Sequence, residues 1–391
     1  MSTTGDGVLQ TALPLLAAEL TRDPLRVSAV ALASWLPWLL FGLPAGALVD
    51  RWDRRRVMWT IDAARFLVAG TFGLAVLGGW ASIALLVAVG FLLGAGQSLF
   101  DTATQSIVPA LVSRDRDRLQ RANGQLYGAQ TVGQQLAGPP AGSALFTLAA
   151  CLPFLADAAS FAWSAALIAS IRGRYGPEQA GERPAASLRA EIGEGLRWLL
   201  GHRLLRHLAV MVGLTNVAFM AGESILVLFA QEKLGLGNVG FGLLLTSVAV
   251  GGLLGSLVAA RLGRLLGTGT VIIAGNLVAA AVQLAIGLSS SAVLVGVMLA
   301  LVGASTTAFN VVSVSLRQTV VPDRLMGRVV GAFRLVGLGS IPFGAVLGGV
   351  LGRTLGLRAP FLFAALLMAA MTVYAVRVAS NRAVSAATGG R

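Results

Sequence analysis

Apolar residues in this chain come in runs of bilayer length, and that limits the possible folds more than any single motif does. A helix crossing a membrane needs about 20 mostly apolar residues, because the bilayer core offers no water to satisfy an irregular backbone. On that rule the sequence predicts twelve spans: 5–20, 27–49, 57–78, 81–108, 123–148, 152–171, 207–230, 240–260, 269–288, 292–316, 328–352 and 358–378. Glycine, proline and charge fill the turns between them, as at Gly78 and Gly79 or from Arg353 to Arg358. The chain is 56% hydrophobic and 12% charged, about half the charged fraction of a soluble domain. Mean hydropathy is +0.78. The predicted fold class is an all-α polytopic membrane protein.

A net charge of +13 raises the question of nucleic acid. The basic residues, however, are scattered through short turns with no interleaved aromatic patch, so no nucleic-acid partner is expected. Their distribution instead sets orientation. With the N-terminus inside, the cytoplasmic segments collect Arg51, Arg54, Arg55 and Arg56, then Arg114, Arg116, Arg118 and Arg121, then seven arginines in 172–206. The outer side receives Arg22, Arg26, Lys233, Arg353 and Arg358. Both termini are therefore expected in the cytoplasm, and the protein in the cytoplasmic membrane of a bacterium. Cys151 is the single cysteine and His202 and His207 are the two histidines, too few for a disulfide or an ordinary structural zinc site. The histidines read as interfacial polar residues, and neither a cofactor nor a metal is expected. The first span runs back to Met1 with no cytoplasmic anchor and no basic start, which suggests a natural chain beginning upstream or a clipped one.

The two halves of the chain repeat each other. Leu93, Gly94 and Ala95, leading to Phe100 and Asp101, recur as Val302, Gly303 and Ala304, leading to Phe309 and Asn310. Arg51 and Arg54 recur as Arg261 and Arg264, the run from Gln105 to Pro109 as Gln318 to Pro322, and Gly138 and Gly142 as Gly344 and Gly348. Such a repeat within twelve spans implies two pseudo-symmetric six-helix bundles with a substrate site between them near the midplane. The expected domains are 1–171 and 207–391, joined by a cytoplasmic linker at 172–206. That linker ends in a predicted amphipathic helix, Ser187 to Leu200, with Leu188, Ile192, Leu196 and Leu199 on one face. It would lie on the inner membrane surface and tether the bundles.

Residues 46–56 hold Gly46, Asp50, Arg51, Trp52, Asp53, Arg54, Arg55 and Arg56 between the second and third spans. This run resembles the G-x-x-x-D-R-x-G-R-R loop of the major facilitator superfamily, with Asp53 where the family commonly has glycine. Span count, orientation, central loop and repeat are similar to that superfamily over almost the whole chain. Gly5, Asp6 and Gly7, the run Leu43 to Gly46, Gly138 and Pro139, Asp157 with Ser160 and Phe161, and Glu194 to Leu199 resemble the branch of enterobactin exporters and macrolide efflux proteins. The resemblance implies the major facilitator fold, alternating access and a gating latch. In that arrangement Asp50 meets the start of the eleventh span near Met326 to Val329, whose helix dipole favours an anion. Asp101 would accept an arginine, Arg51 or Arg55, with Arg54 alongside. In the repeat Ala260 and Asn310 replace Asp50 and Asp101, so both acids vanish together. Gly138, Pro139 and Gly142 form an exporter-type motif, in which small residues let helices approach and proline bends the backbone; simple packing is the competing reading.

Charges inside a bilayer are costly and point to function by default. Asp62 and Arg65, three apart on one helix, are expected to neutralise each other. Asp6, Asp157, Glu223 and Arg334 have no such local partner. In the family fold the first, fourth, seventh and tenth spans line the cavity, which makes Asp6 and Glu223 the candidates for proton coupling or for a cationic substrate. Glu223 is about seven residues, or ~10 Å, from the outer end of its span, and desolvation favours the protonated form of a carboxylate, as proton exchange requires. Asp157, on an outer helix, reads as structural, and Arg334 as a counter-ion. Asn216, Gln97, Asn310 and Phe219 are candidates for the cavity wall. The expected partners are a small-molecule substrate, protons and lipid, with the protein a monomer. A proton-driven exporter of small apolar molecules leads. An importer is favoured only by the imperfect exporter motif, and a non-transporting sensor would have to make do with the short 172–206 segment. An enzyme is not expected: no reactive constellation and no phosphate-binding glycine loop is present.

Overall fold

The computed structural model describes residues 2–42, 52–111, 116–172 and 188–378, and among these it is helical with no strand. The helices are α1 (Ser2–Leu20), α2 (Pro24–Phe41), α3 (Arg54–Leu77), α4 (Ile83–Leu111), α5 (Arg116–Gln130), a π-helix (Thr131–Ala137), α6 (Gly138–Leu148), α7 (Leu152–Ser170) and α8 (Leu188–Gly201). They continue as α9 (Arg203–Glu223), α10 (Leu226–Glu232), α11 (Asn238–Leu266), α12 (Thr268–Leu288), α13 (Ala292–Val320), α14 (Asp323–Leu355) and α15 (Ala359–Val378). Ten stretches among the described residues are long and apolar enough to cross a membrane. The other two expected spans are present as helix: α1, and the succession α5, π-helix and α6. The fifth is interrupted for a physical reason. Pro139 and Pro140 have no N–H to donate four residues back, so the carbonyls of the preceding turn are released and the backbone widens there into a π-helix. The seventh is also broken, between α9 and α10 at Ser224 and Ile225.

Contacts divide the chain into two compact units, Met1–Arg183 with Leu236–Thr246, and Pro184–Gly235 with Ser247–Arg391. In the first, α3 packs along α7 and α2 along α4. Phe72 and Phe154 meet edge to face with centroids 4.9 Å apart, and Gly73 leaves room for Leu155. In the second, α9 packs on α14 and α12 on α15, around a core that includes Leu205, Leu208, Met211, Phe333 and Met368.

The sequence repeat has a shared structural cause. A β-carbon on Gly94 would run into the Ser34 carbonyl, and one on Gly303 into the Val248 carbonyl. Each half uses the same glycine to bring two helices into backbone contact. Likewise, a β-carbon on Gly142 would stand 2.6 Å from the Val8 carbonyl, and one on Gly344 2.7 Å from the Val217 carbonyl. Gly138 and Gly348 similarly face the backbones of Gly7 and Ala221. The paired glycines are thus seats for the first helix of each half, α1 and α9. The proline pair is confined to the first half.

The linker helix is docked as well as amphipathic. Gly195 lies against the Arg328 backbone of α14, and Arg328 Nη1 donates to Glu194 Oε2 at 2.6 Å. At its end His202 caps α9 by accepting from the Leu205 N–H, and Trp198 stacks on its ring. His207 bonds the Tyr374 hydroxyl. Both histidines therefore have structural roles.

Candidate functional site

Three helices of the first unit bring ionisable side chains into one buried group. Asp6 on α1, Asp62 and Arg65 on α3 and Asp157 on α7 have relative exposures of 8%, 0%, 3% and 0%. Arg65 Nη2 donates to Asp6 Oδ1 and, at 2.6 Å, to Gln97 Oε1 on α4. Its Nη1 stands 3.8 Å from Asp62 Oδ1, and its Cζ lies 3.9 Å above the Phe161 ring centroid, a cation–π contact. Asp157 Oδ1 accepts from the Ser160 hydroxyl at 3.1 Å, while its other oxygen is buried without a hydrogen bond.

Glycines make this convergence possible. A β-carbon on Gly5 would collide with the Asp157 carboxylate and Ser160, one on Gly7 with the Gln134 backbone of the π-helix, and one on Gly96 would come within 2.8 Å of the Arg65 stem. Residues 5–7 therefore thread α1 between α7 on one side and the π-helix and α6 on the other. The exporter-type glycines Gly138 and Gly142 hold α1 at Gly7 and Val8, next to Asp6. Ser143, where the family motif has another glycine, is buried. Within this unit it packs against Gly242 near the start of α11.

The electrostatics follow from a count. Three carboxylates face one guanidinium, so full ionisation leaves a buried net charge of −2 (three negative, one positive). A buried ion pair is tolerable when its hydrogen bonds are complete, whereas an extra buried carboxylate costs several kcal/mol, about enough to force it to take a proton. The group thus holds one fixed positive charge, Arg65, among three buried carboxylates of the same unit.

This geometry corrects two sequence expectations. Arg65 is not reserved for Asp62, because the bond to Asp6 crosses helices. Asp6 has a partner after all. Asp157, read as structural, is buried beside Gly5 of α1 and bonded to Ser160. The intramembrane charges of the first half were visible in the sequence, three acids and one arginine, but their i, i+3 spacing drew the arginine to its neighbour. An arginine carries five donors and can serve several acids.

The remaining candidates make other contacts. Asp50 and Arg51 fall outside the described residues. Arg54 opens α3, Asp53 caps it by accepting from the Arg56 N–H at 3.0 Å, and Arg55 donates to the carbonyls of Ile168 and Ala169 at the end of α7. The departure from glycine at Asp53 thus has a purpose as a helix cap. Asp101 accepts from Gln97 Nε2. In the second unit Asn216 donates to the Gly337 carbonyl at 2.8 Å, tying α9 to α14. Asn216, Phe219 and Glu223 follow one face of α9, and Glu223 is exposed while Met220 to Gly222 and Ser224 to Ala230 are buried. Arg334 is exposed on α14, with no ion-pair partner among the described residues.

The family model described as "Transmembrane secretion effector" matches residues 1–388. The chain belongs to that family. The chain is 31% identical to the multidrug efflux pump Tap of Mycobacterium tuberculosis, over 98% of this chain and 92% of that protein. It is 25% identical to the enterobactin exporter EntS of Escherichia coli O1:K1, over 88% of this chain and 81% of that one. Its fold matches the crystal structure of a POT family transporter bound to 5-aminolevulinic acid with a TM-score of 0.77, at 12% identity, over 97% and 94% of the two chains. The major facilitator fold, the branch and a multi-pass transporter of small molecules are thereby established for this family member.

Proposed function

We propose that the chain is a proton-driven exporter of small, largely apolar molecules such as drugs, secondary metabolites or siderophores. It would work by alternating access, as a monomer in the bacterial cytoplasmic membrane with both termini inside. The similarity to a multidrug efflux pump and an enterobactin exporter supports the direction of transport. The observation that carries the proton reading is the excess of buried carboxylates over arginine at Asp6, Asp62, Arg65 and Asp157. An exporter driven by protons needs a carboxylate able to lose its charge inside the membrane domain, and this group is built for that exchange. Asp6 has the most direct part, because its ion pair with Arg65 is broken whenever it takes a proton. Asp62 and Asp157 set the charge against which that proton is held. Asp50 and Asp101, with Arg51, Arg54 and Arg55, remain the proposed latch, and Glu223, Phe219 and Asn216 the proposed contact for a substrate, Glu223 suiting a cationic one.

The test is ethidium movement in everted membrane vesicles, energised by an imposed proton gradient. Wild-type protein should drive uptake that collapses with a protonophore, and Asp6→Asn should abolish the gradient-driven part at unchanged expression. Full gradient-driven uptake by an Asp6→Asn, Asp157→Asn double variant would overturn the proton assignment.

A further inference from the structure

Gln97 sits between two features that the sequence gives no reason to connect. On one side Arg65 donates to its Oε1 at 2.6 Å, and on the other its Nε2 lies 3.3 and 3.4 Å from the two oxygens of Asp101, one turn further along α4. An arginine can only donate, so the guanidinium fixes which end of the Gln97 amide faces it. The Nε2 group is then necessarily the end presented to Asp101, and an ionised Asp101 is its natural acceptor. Hydrogen bonds linked in this way polarise one another, so a change at one end alters the strength of the other. The chain of contacts runs from Asp6 on α1, through Arg65 on α3 and Gln97 on α4, to Asp101.

We infer that Gln97 is a positioning residue that transmits the charge state of the buried cluster to Asp101. The inference rests on the proton reading above. When Asp6 is ionised it shares Arg65 with Gln97 and Asp62. When Asp6 is protonated, the guanidinium loses an anionic partner and is held by Gln97, Asp62 and the Phe161 face alone. The grip on Oε1 changes, and with it the donation from Nε2 to Asp101. Asp157 and Asp62 act on the same guanidinium from α7 and α3, so they set the point at which the change occurs. Asp101 makes contacts besides Gln97, and it is their balance that the relay biases. Gln97 would then be the physical link by which proton uptake in the first unit reaches the end of α4 where the latch is proposed.

The experiment uses the full chain, purified in detergent with Cys151→Ser, and a reporter cysteine from Gln105→Cys, an exposed position one turn past Asp101. Labelling by N-ethylmaleimide is followed from acidic to mildly alkaline pH, without substrate, and every rate is taken relative to that of a small free thiol at the same pH, because the thiolate is the reacting form. The parent should label several-fold faster at one end of that range than at the other. Gln97→Leu, which can neither accept from Arg65 nor donate to Asp101, should flatten the profile, and Gln97→Asn, which keeps an acceptor and a donor on one amide, should restore a pH response. Each must elute as a single species, and ethidium uptake is measured on all. A Gln97→Leu profile like the parent's overturns the relay, as does loss of the response in both variants or a flat parent profile. A flat parent profile with intact gradient-driven uptake rejects the relay alone, whereas uptake insensitive to the gradient rejects the proton reading beneath it.

Discussion

A guanidinium has five N–H donors in one plane, and at Arg65 the Nη2 group serves both Asp6 and Gln97, while Nη1 faces Asp62 at 3.8 Å without a hydrogen bond and Phe161 lies beneath. Removing that charge leaves three buried carboxylates facing one another. Arg65→Leu should cost about 3–5 kcal/mol, the range for stranding a buried charge, and show as aggregation on extraction into detergent. Arg65→Lys keeps the charge but loses the planar fork; it should fold, with ethidium transport reduced at least tenfold. Asp157→Asn retains an acceptor for the Ser160 hydroxyl. We expect wild-type melting behaviour and weakened gradient dependence. The sequence made each of these acids visible as an intramembrane charge, and the i, i+3 pair of Asp62 and Arg65 is real. What it did not reveal was the crossing from α3 to α1 and α7, because spacing along one helix carries no information about which faces of different helices meet.

Helices here approach through glycine. A side chain at Gly94 or Gly303 would have to displace the Ser34 or Val248 carbonyl, so Gly94→Val and Gly303→Val should each destabilise by about 1–3 kcal/mol, as overpacking does. Thermal melts in detergent would show the loss, similar in the two halves. The seats at Gly138 and Gly142 differ in consequence, since they hold α1 beside Asp6; Gly142→Val should impair transport as well as stability. By contrast, the Glu194 and Arg328 pair is part-exposed, with side-chain exposures of 46% and 36%. Breaking it with Glu194→Gln should cost no more than about 1 kcal/mol, while Gly195→Leu should lift α8 from α14 and expose it to limited proteolysis. The amphipathic helix itself was legible from its apolar face. Its docking partner was not, because Gly195 marks a contact only once the neighbouring backbone is in place.

Across the whole chain, the apolar runs located the helices and the repeat predicted matched glycines, which the two units use in the same way. The repeat also marked a difference in charge: Asp50 and Asp101 of the first half have no acidic counterparts at Ala260 and Asn310. Asp50→Asn and Asp101→Asn should each abolish transport without reducing membrane insertion, measured as uptake against protein recovered in the membrane fraction. The sharing of one arginine among several acids also has a genetic consequence. Selection for renewed resistance in bacteria carrying a crippled Asp6→Asn allele should return second-site suppressors at Asp62 or Asp157, so that epistasis alone would trace the boundary of the cluster.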